Sequence, residues 1–141
     1  MTGSRRLALI FAALLAVLAA LSLASGPGGF GAPYRLNADT AAVHAAGAVW
    51  GLIAARMGSR ASNVFLVALG LAFCTDAFMG FTRGVFYLSF DAMREQAQPM
   101  PRPDRLAAVA VHALLGAIAL VAGLRYANAD ARRAGKDNPP T

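Results

Sequence analysis

Four stretches of the chain, 7–24, 40–55, 64–82 and 106–124, run almost without charge and are separated by short polar segments. A helix needs about 20 residues to cross roughly 30 Å of hydrocarbon, and each stretch comes close to that length. The pattern predicts an all-α, four-transmembrane-helix bundle. It forms a single membrane domain over 1–126, followed by a polar tail over 127–141 that is expected to be disordered. Boundary residues agree: Gly26, Pro27, Gly28, Gly29 and Pro33 break the chain after the first stretch, and Asn37, Asp39 and Thr40 offer caps for the second. The turn over 57–61 predicts a tight antiparallel hairpin, with Ser62 or Asn63 capping the third helix. Pro99, Pro101 and Pro103 stiffen the longest connection, and Asp104 stands where an N-cap of the fourth belongs. Within that connection Phe86, Phe90, Met93 and Ala97 recur at helical spacing, which predicts a short helix lying in the membrane interface.

Charge changes the picture by orienting it. The net charge is +6, with 57% apolar and 14% charged residues, and the pI is near 10.7 at a mean hydropathy of +0.52. In a soluble protein such basicity would point to nucleic acid, but here the basic residues cluster at the ends of the apolar runs, so nucleic acid is excluded as a partner. With the N-terminus inside, Arg5, Arg6, Arg56, Arg60, Arg125, Arg132, Arg133 and Lys136 share one side, eight against the five of Arg35, Arg83, Arg94, Arg102 and Arg105. That bias predicts an N-in, C-in arrangement and anionic lipid headgroups as partners of the inner cluster. Phe30, Tyr34, Phe86, Tyr87 and Phe90 then read as an outer aromatic belt. The 18 residues of 7–24 exceed the roughly 7–15 of a signal-peptide core, so the first run reads as an uncleaved span. Richness in Ala, Gly and Arg points to a GC-rich bacterial genome, and the expected location is the bacterial inner membrane. Cys74 is the only cysteine, which rules out an internal disulfide.

Three runs carry one ionisable residue each: His44, Asp76 and His112. Counting about 1.5 Å of rise per residue from the middle of each run puts His44 and His112 roughly 4 to 6 Å outside the midplane, and Asp76 roughly 5 Å. A titratable group at that depth is costly and marks a functional site by default. Rotation brings small residues into line with the histidines. Thr40, His44, Gly47, Gly51 and Ala55 share one face, and Ala108, His112, Gly116, Ala119 and Gly123 share another. Gly47, Gly51, Gly116 and Gly123 therefore read as packing seams on which helices approach closely. The tetrapeptide Ala-Val-His-Ala at 42–45 recurs at 110–113. Two helical hairpins related by an axis along the membrane normal would place the imidazoles across from each other.

Three chemistries are open to such a cluster. His44 and His112 can serve as axial ligands of a b-type haem, or His44, Asp76 and His112 can ligate a metal ion. The same residues can pass protons, alone or linked to a quinone. The third is a polar clasp, in which Asp76 accepts from the histidines and Thr75 adds a hydrogen bond. Soluble-enzyme signatures such as G-x-S-x-G, Gly/Lys phosphate loops, C-x-x-C and H-E-x-x-H are absent, which leaves catalysis open and favours a role without it.

His44 followed by Gly47, then Asp104 opening a last span that carries His112 and Gly116, resembles a family of small four-helix bacterial membrane proteins of unknown function over residues 5–125. His44 with Trp50 and Gly51 is also similar to copper-resistance and haem-binding membrane proteins that carry His, Trp and Gly on one helix. Taken together, the residues predict an accessory or interaction subunit that contacts other membrane proteins, or copies of itself, through its small-residue seams. The alternatives are a haem or metal redox protein and a proton- or quinone-linked one.

Overall fold

In the computed structural model, residues 1–24, 38–88 and 102–137 are described, and they form four helices: α1 Gly3–Ala24, α2 Ala38–Met57, α3 Ser59–Arg83 and α4 Arg102–Asp137. α1 forms because its run of Ala, Leu, Ile and Phe has high helix propensity and no internal breaker. It buries Ser4, Ala8, Phe11, Ala12, Leu15, Ala19 and Ser22, a stripe at helical spacing, and turns Ile10, Val17 and Leu23 outward. α3 is the central element. It packs against each of the other three helices, while the backbones of α2 and α4 do not approach each other and so stand on the long diagonal of the bundle. Phe65 and Leu66 in its first third are fully buried, packed with Ala8, Phe11 and Leu15 of α1 and Ala54 and Ala55 of α2.

α1, α3 and the stretch Arg102–Arg133 of α4 are each long and apolar enough to cross a membrane. α2 is not among them, because Thr40, His44, Gly47, Gly51 and Arg56 dilute its apolar run. Outward-facing side chains suit a lipid surround: Leu71, Phe78 and Phe81 on α3, and Leu114, Val121 and Leu124 on α4, are all exposed.

The α2–α3 junction is tighter than the expected turn over 57–61. Gly58 alone interrupts the helices, at φ 125°, a region that L side chains rarely adopt. Neither Ser62 nor Asn63 caps α3. Ser62 lies inside the helix, and its hydroxyl donates to the carbonyls of Gly58 at 2.8 Å and Ala54 at 3.2 Å, tying the two helices together. Asp104 likewise sits in the first turn of α4, two residues past its start. The next carbonyl of α2, Ala55, accepts from Arg5 Nε of α1 at 2.7 Å. A cation at a helix C-terminus meets both the orphan carbonyls and the negative end of the dipole. Replacing Arg5 by Met keeps the apolar stem and removes the donor. The expected loss is about 1–2 kcal/mol, read from thermal unfolding in detergent.

The tail reading is corrected in part. α4 runs on through Asp137 instead of ending near 126. The segment 127–137 is rich in Ala, Arg and Lys, strong helix formers, and it is tied down by Asp130, which accepts from Asn63 Nδ2 at 3.0 Å. Residues 138–141 lie outside the described residues. So do 89–101, on which most of the expected interfacial helix falls, and its first described positions, Gly84–Leu88, are a turn and not a helix. Phe30, Tyr34 and Phe90 of the expected belt also lie outside them.

Candidate functional site

Asp76 is the most deeply buried ionisable group among the described residues, 2% exposed, on the face of α3 turned toward α4. Three features of the local chain put it there. α3 ends at Gly84, whose left-handed conformation at φ 75° caps the helix by donating its N–H to Gly80 O at 3.1 Å. The chain then folds back over its own last turns. Gly80 leaves room for this: a Cβ there would meet the Phe86 ring at 2.4 Å. Leu88 arrives beside Asp76 and donates its backbone N–H to Oδ1 at 3.0 Å.

On the other side stands His112 of α4, with Nε2 3.6 Å from Asp76 Oδ2. Its Nδ1 lies 2.9 Å from the carbonyl of Ala108, one turn earlier on the same helix. The ring is held between Phe73, edge-on at a centroid distance of 5.5 Å, and Phe86, tilted at 5.4 Å. Phe86 is therefore a buried wall of the site and not part of an aromatic belt. Tyr87, next along, receives Arg83 Nη1 on its hydroxyl at 3.4 Å.

Of the residues singled out from sequence, then, Asp76 and His112 come together. His44 joins them by neither hydrogen bond nor ion pair among the described residues; it is half-buried on α2, and its Nδ1 is buried with no hydrogen-bond partner. Thr75 is exposed and takes no part in the cluster, because one step along a helix turns a side chain by about 100°. Gly47 and Gly51 lie against α1 and α3, where added Cβ atoms would meet Leu15 at 3.0 Å and Phe65 at 2.7 Å. Gly116 and Gly123 lie against the backbone of α3, at Cys74 N, 2.8 Å, and Val67 N, 2.9 Å.

The geometry bears on cofactors as well. His112 Nδ1 lies against the Ala108 carbonyl, and Nε2 is directed at Asp76 Oδ2. Among the described residues no three His, Cys, Asp or Glu side chains are grouped to hold a metal ion. Sequence reasoning missed Phe73, the Ala108 carbonyl and the Leu88 amide, and it read Phe86 as an interfacial anchor. The Gly80, Gly84, Phe86 spacing was the only signal for the returning turn.

The helices and this inward-facing acid–base pair define an all-helical chain with at least three helices suited to a bilayer. Comparison with protein-family models, curated proteins and solved structures gives no match that would narrow the class further.

Proposed function

We propose that the chain is a four-span membrane protein, N-in and C-in, acting as an accessory or interaction subunit of a bacterial inner-membrane complex, and that Asp76 and His112 form its intramembrane clasp. One observation carries this reading. The polar atoms of the site point at one another and at the backbone of the same chain, as in a fastening and unlike a cleft that presents groups to a substrate. α2 completes the fourth crossing, since its 20 residues reach about 30 Å and its glycines Gly47 and Gly51 lie against α1 and α3. Eight basic residues on one side, with Arg5 fastened to the end of α2 there, support the orientation. Outward-facing Leu114, Ile118 and Val121 on α4 offer the apolar surface that neighbouring membrane helices would cover.

Labelling tests the topology. In a Cys74→Ser background, cysteines introduced at Thr2 and Asn138 should resist an impermeant maleimide in intact cells and react after lysis; labelling of either in intact cells overturns the orientation. In mild detergent the protein should migrate with an assembly heavier than its 14.6 kDa chain. A monomer showing a Soret band lost in both His44→Ala and His112→Ala would replace this reading by a haem protein.

A further inference from the structure

We propose that Asp76 and His112 together bind one exchangeable proton, which makes the clasp a membrane-embedded proton site. The inference deepens the clasp reading and rests on it for the pair's place inside the bilayer. It starts from what each atom can do. A backbone carbonyl only accepts, so the 2.9 Å contact with Ala108 requires His112 Nδ1 to carry hydrogen. In a neutral imidazole that leaves Nε2 as a bare lone pair. Facing it at 3.6 Å is Asp76 Oδ2, a buried oxygen with no hydrogen-bond partner, while Oδ1 is already served by Leu88. Two acceptors turned toward each other in an apolar interior repel, and each forfeits the partner that a buried polar atom requires.

A single proton resolves both deficits. Placed on Nε2 it gives imidazolium and carboxylate; placed on Oδ2 it gives neutral imidazole and carboxylic acid. Either form has zero net charge, so the proton can pass between the two atoms without creating charge at depth. Its removal leaves an uncompensated carboxylate among Phe73, Phe86 and Ala77, all buried. The separation is a few tenths of an ångström beyond a hydrogen bond, and a small swing of the imidazole closes it. His112 is 22% exposed against 2% for Asp76, so the proton enters and leaves by way of the imidazole.

Among the described residues, other groups around the pair are few. α2 contributes His44, close enough to His112 for their charges to interact. α3 contributes Cys74, set against Gly116. The returning turn contributes the Leu88 amide and, beside it, that of Tyr87. α4 carries Arg105, two turns before His112, and α1 has Arg5 and Arg6 only at its opposite end. None of these supplies the missing hydrogen between Nε2 and Oδ2.

Because the chain has two histidines, nitrogen NMR of ¹⁵N-histidine-labelled full-length protein in lipid nanodiscs resolves the site, with His44→Gln assigning the signals. Wild type should show His112 Nδ1 protonated throughout. Nε2 and the Asp76 carboxyl, followed by infrared difference spectra, should change together in one pH step. In Asp76→Asn the amide donates to Nε2, so His112 should keep the Nδ1–H form while the shared step disappears. A wild-type His112 protonated on Nε2 alone overturns the proposal, as does a titration unchanged in Asp76→Asn. Should the Asn variant not fold, the wild-type tautomer decides by itself. The clasp fails on a separate readout: stability unaffected by Asp76→Leu.

Discussion

Replacing Gly70 by Val is expected to part α3 from α4 and to cost about 3 kcal/mol, the upper end of what overpacking a close-packed site costs. A Cβ at residue 70 would lie 2.5 Å from the backbone nitrogen of Leu120 and 2.7 Å from its Cα. Backbone cannot rotate away as a side chain can, so the helices must separate. The same seam continues at Gly116 against Cys74 N and at Gly123 against Val67 N, at 2.8 and 2.9 Å, so the contact is lost along its length. Without a hydrophobic drive between helices in lipid, close packing is a large part of what joins them. Asp76 is six residues beyond Gly70 and His112 four before Gly116, so the variant should also widen the 3.6 Å gap between them. Unfolding in a denaturing detergent titration reads the stability, and the ¹⁵N spectrum of His112 reads the pair. Gly47→Ala is the control: its Cβ would meet only the end of Leu15 at 3.0 Å, a side chain free to shift. If Gly70→Val is as stable as Gly47→Ala, the seam does not hold the helices together.

The helices themselves were legible because an uncharged run of about 20 residues has few other uses. Their ends were not. Hydropathy stops reporting at Leu124, but helix propensity does not, and the Asn63–Asp130 bond that secures the extension joins residues 67 positions apart in sequence. The seam was half legible. Gly116 stood out beside His112, while its counterpart Gly70 was hidden on a helix read mainly for Asp76. The depth count placed Asp76 and His112 at one level and they do meet; it could not foresee that the backbones of α2 and α4 do not approach each other, so that His44, though near His112, bonds to neither member of the pair among the described residues. The Phe86 reading failed for a local reason: Gly84 at positive φ reverses the chain, and a residue taken for an interfacial anchor becomes a wall of the site.

Asp76→Leu should destabilise the protein by about 1–3 kcal/mol, whereas Asp76→Asn should stay within about 1 kcal/mol of wild type. Leucine has the branching and heavy-atom count of aspartate, with bulkier methyls in place of the oxygens, so no cavity is left behind. What it removes is the acceptor at 3.0 Å for the Leu88 N–H and the neighbour of His112 Nε2, leaving two polar atoms without their partners. With the amide unpaired, the turn over 84–88 has less reason to fold back, and Phe86 loses its seat over Gly80 against His112. Hydrogen exchange should therefore show the Leu88 amide opening before the rest of α3. Asparagine keeps both roles: its carbonyl oxygen accepts from Leu88, and its NH₂ donates to Nε2, so the fold survives while the shared proton is gone. The two variants thus separate fastening from protonation. Equal stability for both would mean that the bundle is held by its glycine seam and apolar core alone, and that Asp76 is kept at depth for its charge.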